Sequence, residues 1–516
     1  MKKIKLISLF LVVLMVFTAC DGRSGDGFMG INKKQSQGKT LYLIGYNFEN
    51  SNPLLVKNEV NREIFSLIYD GLYTLDETYS PVPRLAKETN IDETGLTYKV
   101  TLNEGVLFHD GTTLSANDVC ATINYLISNS TYYSYNVNNI QAVKANGANE
   151  VVITLKKPAQ NLEALLTFPI VNSKDILGEF TFNGTGMFLV ENYIKRKSID
   201  LKINDKYYRE KNKELKKVSV QLMPDKETAN YAYSSGLSDV FSQDIFKDVT
   251  SLNPKTGATN NEYTTLNYNF LLLNNTSEVL QDVRVRRAIS LAINREVIVE
   301  DILFSHAKAV YSPIPTESFY FDSEVKDEYN VNVAKTLLLE GGYVPDVNTG
   351  IMGKETEDGV EELSFTISVN NDNNFRIQVA NYISENLKYI GIDATVEVID
   401  YYEYADKYVN KTYEALLGSV MMAPDFDLTM FMGDYNITNY VSDAANKELS
   451  LISQTGNREI KKEHYNNLQR IFNKEAPHIS LYYTKANLQN TSKVKKGLKP
   501  TGFNIFNNIE KWTFDD

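Results

Sequence analysis

The sequence predicts a mixed α/β fold with two or more domains. The chain has 516 residues, 43% of them hydrophobic, which is enough to bury a large core and to divide into domains. From Leu266 to Leu272 apolar side chains recur at alternate positions, which indicates a strand. Residues 363–399 combine an alternating strand, a helix with apolar residues at every fourth position and a second strand, which is typical of a βαβ unit.

Two short helices are expected directly after the 266–272 strand. Asp282 is a candidate N-cap, and apolar residues follow it at helical spacing up to Ala292, with the arginines outside this apolar stripe. Asn294 is a candidate cap for the second helix, and Glu296 falls in its first turn, where a negative charge is favourable.

Further elements are predicted on both sides of this segment. In order they are a strand at 40–44, a helix at 60–70, a strand within 141–155, a βαβ-like unit at 218–240, a helix at 332–342, a helix at 460–475 and a strand at 479–483. Ser115 and Asp118 have the spacing of a capping box. Gly184 and Gly186 permit either a positive φ or a close approach between backbone segments.

The N-terminus has the features of an export signal. Residues 1–19 have a basic start and an apolar run that is too short to remain as a membrane span. The run ends in FTAC, which resembles a bacterial lipobox with Phe17 in place of the usual leucine, and implies cleavage before Cys20 and lipidation, such as palmitate, of that residue. The alternative is an ordinary export signal followed by a chance cysteine. Residues 20–39 are rich in Gly, Ser, Lys and Gln and predict a flexible tether.

Charge and motif content argue against several classes of function. The formal net charge of −12 disfavours binding to nucleic acid. The four histidines are scattered and no GxSxG, HExxH or cysteine-based metal spacing occurs, so we expect neither an enzyme nor a bound metal or cofactor. His109 is interpreted as part of a structural turn and Cys120 as a small buried hydrophobic residue.

Three runs of sequence carry a resemblance to a known family. They are YTTLNYNFLLL with DVRVRRAISLAIN within 263–294, VLFHDGTTLSANDV at 106–119 inside a denser match over 68–126, and FNGTGMFLVENY at 182–193. Together they resemble the family 5 extracellular solute-binding proteins, the dipeptide, oligopeptide and nickel receptors of ABC importers. Asn103 and Met187 depart from the usual Arg and Pro of that family.

The resemblance implies an α/β fold, with α+β mixing, of the two-lobed periplasmic-binding-protein type (type II, cluster C). The first lobe would comprise 40–265 and 482–516 and would carry an extra β-rich subdomain at about 60–175. The second lobe would comprise 266–481. The chain would cross between the lobes near 263–269 and again near 479–485.

The resemblance also places the ligand between the lobes. The family's ligand loop corresponds to GSVMMAPDFD at 418–427, in which Ser419 replaces a tryptophan and Met422 replaces the aspartate that holds a peptide's α-ammonium. Asp425 and Asp427 keep the downstream carboxylates of that loop. The expected ligand-binding residues are Tyr46, Asn47, Phe48, Tyr268, Met421, Met422, Asp425, Asn436, Asn439 and Tyr440.

The expected function is that of a substrate-binding lipoprotein of an ABC importer, which captures peptides or peptide-like solutes by closing two lobes on a hinge. Its partners would be the ligand, the permease and ATPase, and the membrane through Cys20. We expect a monomer on the outer side of the cell membrane, facing the extracellular space or periplasm. A receptor for nickel–chelator complexes, and a peptide-sensing or adhesive surface lipoprotein, are the alternatives.

Overall fold

The computed structural model describes residues 39–48, 51–178, 180–243, 257–357 and 359–515. The predicted signal segment, Cys20 and the tether up to residue 38 lie outside the described residues. Within the described ranges, no helix is both long enough and apolar enough to cross a membrane.

The strands and helices alternate along most of the chain. The strands are β1 Lys39–Tyr46, β2 Tyr73–Leu75, β3 Pro81–Pro83, β4 Ala86–Ile91, β5 Thr97–Leu102, β6 Ile140–Ala145, β7 Glu150–Leu155, β8 Phe188–Ile194, β9 Ser198–Ile203, β10 Leu215–Met223, β11 Val240–Gln243, β12 Thr259–Leu273, β13 Ala307–Ala309, β14 Val344–Pro345, β15 Met352–Thr356, β16 Gly359–Glu362, β17 Ser364–Asn370, β18 Asp393–Ile399, β19 Ala415–Met421, β20 His478–Asn490, β21 Val494–Lys496 and β22 Thr513–Phe514. The α-helices are α1 Glu59–Phe65, α2 Ala116–Ser128, α3 Ser134–Val137, α4 Leu162–Leu165, α5 Ser173–Leu177, α6 Lys226–Ser234, α7 Val283–Ala292, α8 Arg295–Val297, α9 Val331–Glu340, α10 Asn374–Lys388, α11 Tyr401–Asn410, α12 Thr429–Met432, α13 Asp443–Gln454 and α14 Arg458–Glu475. Short 3₁₀ turns occupy Pro53–Leu55 and Ile509–Lys511, and a π-helical turn occupies Ile298–Ile302.

The first lobe contains two four-stranded sheets. One has the order β1-β10-β9-β8, in which β1 and β10 are parallel and the other neighbours are antiparallel. The other, β4-β5-β7-β6, is antiparallel throughout, and α2 packs on it. Buried residues alternate with partly exposed ones along β7, as in a sheet with one covered face. Apolar residues from both sheets belong to a single hydrophobic core.

Two long antiparallel strands, β12 and β20, connect the lobes. They lie side by side in a seven-stranded sheet of order β11-β20-β12-β19-β17-β18, with β13 paired to β20. One end of β20 pairs with β11, and Leu488 packs in the first-lobe core. The other end contributes Ile479 and Leu481 to the core of the second lobe. Both strands therefore run from one lobe into the other, while the predicted boundaries at 265/266 and 481/482 stay a prediction.

The C-terminal segment packs back on the first lobe. Val494, Phe506, Trp512 and Phe514 belong to the first-lobe core. The side-chain amide of Asn212 donates to the carbonyl oxygens of Ile509 and Trp512, at 2.7 and 2.8 Å. The first lobe is thus assembled from the two ends of the described chain.

Several local predictions are confirmed. The Asp118 carboxylate accepts from the backbone N–H and the hydroxyl of Ser115, at 2.9 and 2.8 Å, and so begins α2. The Asp282 side chain accepts from Arg284 N at the start of α7, and the Asn294 side chain caps α8. Strands β17 and β18 are parallel and α10 connects them, which is the predicted βαβ unit.

Other local predictions are wrong. The helix expected at 60–70 ends at Phe65. The βαβ-like unit at 218–240 does not form within one sheet, because β10 pairs with β1 and β9 whereas β11 pairs with β20. The strand predicted at 266–272 is present but begins earlier, because β12 pairs with β20 from Thr259 onward and is 15 residues long.

Arg286 contradicts the prediction that the arginines of α7 lie outside its apolar stripe. Its side chain is 5% exposed, and its guanidinium donates to the carbonyl oxygens of Leu280, Gln281, Glu475 and Ala476 at 2.7 to 3.3 Å. These carbonyls lie before α7 and at the C-terminal end of α14, where a helix leaves carbonyl groups unpaired. The arginine is buried because it supplies donors to them.

His109 and Cys120 have the structural surroundings that we expected. A ring nitrogen of His109 lies 3.1 Å from the Gly186 carbonyl oxygen, and burial lowers the pKa of His109. Cys120 is partly buried on α2 and packs against the first-lobe core, and burial raises the pKa of its thiol.

Candidate functional site

A cleft of about 690 Å³ separates the two lobes. Its first wall comes from the first lobe, from α1 and the residues after it, the segment 132–136, and the C-terminal segment 502–510. Its second wall comes from the end of β19 and the residues up to α12. A cleft of this volume, with contributions from both lobes, has the size and position of a small-molecule binding site.

Gly184 and Gly186 hold the first wall in place. Gly186 N donates to the Ile68 carbonyl oxygen at 2.9 Å. A Cβ atom at Gly184 would overlap that oxygen and would lie 2.8 Å from the Ile68 carbonyl carbon. The sequence predicted a close backbone approach or a positive φ here, and the structure shows the close approach. It positions Tyr69 and Asp70, the next two residues after Ile68, which line the cleft.

Asp70 is a buried carboxylate in this wall. It accepts hydrogen bonds from Thr185 Oγ1 and from the Tyr207 hydroxyl, both at 3.3 Å. Burial raises the pKa of Asp70, and the Arg84 guanidinium and these two hydroxyls oppose that shift. The Asp70 carboxylate therefore already has two hydrogen-bond donors and a nearby guanidinium within the protein.

Glu63 is a second carboxylate in the first wall. It lies on α1, and its Oε2 atom accepts from Ile505 N at 3.3 Å. Burial, with a further contribution from the Glu59 carboxylate, raises the pKa of Glu63 to about 8. In the protein without ligand, a large share of this side chain is neutral at physiological pH.

The methionines of the second wall differ in exposure. Met421 ends β19 and is 54% exposed in the cleft, whereas Met422 is 4% exposed and packs in a core with Phe426. Met422 N donates to the Leu266 carbonyl oxygen at 2.8 Å, which extends the pairing of β19 with β12 by one residue. Both residues belong to the lining of the cleft, and Met421 offers the larger surface. Their contact with a ligand stays a prediction.

Asp425 lies directly behind this wall and faces the first lobe. The Tyr135 hydroxyl of the first lobe donates to its Oδ2 atom at 3.4 Å. The residue is 4% exposed, and its Oδ1 atom has no hydrogen-bond partner among the described residues. Burial and the neighbouring Asp427 raise the pKa of Asp425 to about 7. This is an incompletely satisfied carboxylate at the junction of the two lobes.

Tyrosine rings supply much of the apolar surface of the first wall. The rings that line the cleft are those of Tyr69, Tyr73, Tyr132, Tyr133, Tyr135 and Tyr207. The Arg62 guanidinium lies over the Tyr132 ring, 3.5 Å from its centre. Such rings present both an apolar face and a hydroxyl, which suits ligands that are partly polar.

The structure does not bring the predicted residues of the first lobe to this cleft. Phe48 packs in an aromatic cluster, with ring centres 5.5 Å from Phe65 and 5.3 Å from Tyr193. Tyr46 ends β1, paired with β10, and Asn47 follows it with its N–H donated to the Met223 carbonyl oxygen. None of the three lines the cleft.

Four predicted residues of the second lobe are committed to other contacts. Tyr268 is fully buried on β12, and its hydroxyl lies 2.9 Å from His478 Nε2. Asn436 is buried and bonds the backbone of its own loop, Asn439 donates to Asn274 Oδ1, and the Tyr440 hydroxyl donates to Glu475. None of these four residues lines the cleft, so their contact with a ligand stays a prediction without support from the cleft lining.

The first wall supplies residues that the sequence did not reveal. Glu63 and Asp70 fall within the helix predicted at 60–70, and neither was predicted to line a site. The run TYYSY at 131–135 was the one visible signal, because three tyrosines in five residues are unusual for an exposed segment. Segment 502–510 carried no recognisable pattern.

A two-lobed α/β protein with a ligand-sized cleft between its lobes has the architecture of a solute-binding protein. The family model for bacterial extracellular solute-binding proteins, family 5 Middle, matches residues 80–440. The chain belongs to this family of solute-binding proteins.

Individual relatives resemble the chain over nearly its whole length. The oligopeptide-binding protein AppA of Bacillus subtilis (strain 168) is 26% identical over 548 aligned positions, which cover 98% of each protein. The solved structure of AppA in complex with a nonapeptide has a TM-score of 0.61 at 24% identity and covers 94% of this chain and 100% of that one. NikZ from Campylobacter jejuni, solved in complex with Ni(L-His), has a TM-score of 0.63 at 23% identity and covers 92% and 99%. Both structures support the two-lobed fold.

Proposed function

We propose that this protein is the receptor of an ABC importer and that it captures peptides or peptide-like solutes by closing its two lobes. The observation that carries the proposal is the cleft of about 690 Å³, with a tyrosine-rich wall on one lobe and a methionine-bearing wall on the other. Tyrosine and methionine surfaces adapt to varied side chains. AppA, the relative described above, binds oligopeptides, and its solved complex holds a nonapeptide.

The cargo would be held without the family's usual ammonium contact. Met422 occupies the position of the aspartate, and a buried ammonium without a carboxylate partner would lose several kcal/mol. Asp425 is the nearest acid along the loop, and its Oδ1 atom has no partner within the described part of the chain. A free peptide N-terminus would therefore either reach Asp425 or contribute little to binding.

We expect calorimetry with matched peptides to separate these two cases. Each peptide is compared with its N-acetylated form, on the wild-type protein and on Asp425→Asn. A preference for the free amine that disappears in Asp425→Asn would locate the ammonium contact at Asp425. Equal binding of both forms would indicate a site that does not use the amine.

Asp301→Asn is a suitable control, since Asp301 is an exposed acid of the same lobe outside the cleft. A preference for the free amine that survives in Asp425→Asn would show that another acid holds the ammonium. Failure of every free and acetylated peptide to bind would contradict the peptide-receptor proposal itself.

The lipid anchor is a separate part of the proposal. The FTAC run at 17–20 motivates attachment of a lipid to Cys20 and a location on the outer face of the cell membrane, in the extracellular space or periplasm. Cys20→Ala should release the protein from the membrane fraction, because a lipid anchor would then be absent. Detergent phase partitioning measures the change, and a variant that stays membrane-bound would contradict the anchor.

The remaining partners follow from the receptor role. We propose that the protein is a monomer and that it delivers its cargo to a permease and ATPase. We also propose that it binds no nucleic acid and catalyses no reaction. The likeness to NikZ, whose solved structure holds Ni(L-His), makes a nickel–chelator complex the second candidate cargo. Calorimetry with nickel–histidine beside the peptides would distinguish the two. A sensing or adhesive role on the same scaffold would leave peptide uptake unchanged in a deletion strain.

A further inference from the structure

The cleft has more acidic than basic side chains. The acids that line it are Glu59, Glu63, Asp70, Asp427 and Glu510, and the bases are Arg62 and Arg84. Both arginines are already engaged by the protein. Arg62 stacks on Tyr132 and donates to the Lys57 carbonyl oxygen, while Arg84 interacts with Asp70 and Glu510. The lining of the cleft therefore keeps an excess of negative charge, with five acids against two arginines.

Asp425 provides an independent observation that points to a ligand. Its Oδ1 atom is buried, and no described residue donates a hydrogen bond to it. A carboxylate oxygen that is removed from water without a donor is unfavourable, and such atoms are rare in folded proteins. Its other oxygen accepts from Tyr135 across the cleft, so the carboxylate is directed at the first lobe. Asp425 does not itself line the cleft, but Tyr135 does, so the negative charge of Asp425 lies directly behind the surface of the cleft.

The tyrosine segment 132–135 lines the cleft together with Glu63, and it contacts Asp425. The ring centres of Tyr132 and Tyr133 lie 5.2 Å apart, and the Tyr135 hydroxyl donates to Asp425 Oδ2 at 3.4 Å. An ammonium or guanidinium group is attracted to the face of such rings. The Arg62 guanidinium already lies over the Tyr132 ring, which shows that this wall accommodates a planar cation.

We infer that the cargo carries an organic cation, an ammonium or a guanidinium group, that binds along this aromatic surface between Glu63 of the first lobe and Asp425 of the second. The inference rests on the proposed receptor function and specifies its cargo as basic peptides or comparable cationic solutes. A cation between these acids also favours closure, because it is attracted to carboxylates of both lobes at once.

Affinity for such a cargo should rise with pH. The pKa of Glu63 is raised to about 8 and that of Asp425 to about 7, chiefly by burial, so both carboxyls hold protons over part of the physiological range. A cation binds the ionised forms, so it lowers both pKa values and displaces protons. Affinity therefore increases as pH rises toward about 8 and levels off above the higher pKa.

Other titratable and charged groups face each of these two acids. Those around Glu63 are Glu59, Arg62, Tyr132 and Tyr133, with Glu510 on the adjacent C-terminal segment. Those around Asp425 are Asp427, Tyr135 and Tyr465.

The test uses alanine-based pentapeptides that contain one arginine at each position in turn, each paired with a peptide that has neutral citrulline at that position. All are N-acetylated and C-amidated, which removes the terminal ammonium as a second source of positive charge. At pH 8.5 we expect the best arginine peptide to bind roughly ten- to a hundredfold more tightly than its citrulline partner, the range typical of a charge-assisted hydrogen bond. The difference should shrink as pH falls to 6. Titrations in buffers of different ionisation enthalpy should show proton release on binding.

Glu63→Gln and Asp425→Asn should each reduce the arginine preference and the pH dependence, and Glu93→Gln, an exposed acid outside the cleft, should change neither. Circular dichroism establishes that each variant is folded, and the unchanged affinity of the citrulline peptide serves as a second check on the cleft. Equal affinity for arginine and citrulline peptides in the wild-type protein would overturn the cation inference and leave the receptor proposal standing. If neither series bound at any pH while the free-amine peptides also failed, the receptor proposal would fall and the inference with it.

Discussion

Gly184→Ala is expected to destabilise the first lobe by more than about 3 kcal/mol, because overpacking against backbone cannot be relieved by a side-chain rotation. The new Cβ atom would overlap the Ile68 carbonyl oxygen and lie 2.9 Å from the Tyr69 ring. Gly184 does not have a positive φ, so the effect comes from close approach alone. Calorimetry should show the first-lobe transition lowered by roughly 5 °C or more. Ligand binding should weaken as well, since Tyr69 and Asp70 line the cleft.

Gly456→Ala is the matched control. Its Cβ atom would meet only the end of the Ile91 side chain, at 3.4 Å, which is an ordinary contact. We expect a change within about 0.5 kcal/mol, as for most surface substitutions. Equal effects of the two substitutions would contradict the role assigned to the close approach at Gly184.

Arg286→Met should have a comparable effect on the second lobe. Methionine keeps much of the aliphatic volume but removes every donor, so the carbonyl oxygens of Leu280, Gln281, Glu475 and Ala476 lose the guanidinium. Loss of a buried, multiply bonded charged group typically costs about 3–5 kcal/mol. Denaturant unfolding followed by circular dichroism measures the change. The loss should be visible without ligand, because Arg286 does not line the cleft.

Arg284→Met is the control for this prediction, because it changes the same residue type on the same helix. Arg284 lies near the surface, where its guanidinium pairs with Asp282 and donates to the Glu340 carbonyl oxygen. Solvent screens that pair, so we expect a much smaller loss of stability. If Arg284→Met lowered the free energy of unfolding as much as Arg286→Met, the contacts between Arg286 and the four carbonyl groups would not account for the loss of stability.

The sequence predicted those parts of the fold that depend on local patterns. The caps at Asp118, Asp282 and Asn294 act within a few residues of their own position, so spacing was sufficient to find them. The βαβ unit over 364–399 could be predicted in the same way. Apolar residues recur every two positions in its first strand and about every four positions in its helix, and the two patterns follow one another directly in the sequence.

Pairing between segments that are distant in the sequence could not be predicted from such local patterns. Residues 218–240 have the periodicity of a βαβ unit, but nothing in them shows that β11 pairs with a strand near residue 490. Arg286 was expected outside the apolar stripe of its helix for the same reason, since two of the four carbonyl groups that accept from it, those of Glu475 and Ala476, lie at the end of α14. Tyr268 was expected to contact the ligand. The structure shows instead that β12 is a central strand whose two faces are both buried at this residue.

The candidate site illustrates the same limit. The loop at 418–427 was found by resemblance, and it does form one wall of the cleft. The opposite wall comes from Glu63, Asp70 and the tyrosines of 132–135, which lie about 290 to 360 positions earlier in the chain. Asp70 falls within the family match at 68–126, but nothing in that match marked it as a residue of the cleft. The raised pKa values of Glu63 and Asp425 depend on burial by segments that are distant in the sequence, so they exist only in the folded protein.

The return of the chain to its first lobe has a consequence for the order of folding. Synthesis proceeds from the N-terminus, and domains generally begin to fold as they emerge. The core of the first lobe includes Trp512 and Phe514, and β11 has its partner only once β20 has been made. The core of the first lobe therefore stays incomplete until residues 478–514 have been synthesised, when most of the second lobe is already present. A chaperone that protects the nascent chain would find its substrate in the part that was synthesised first.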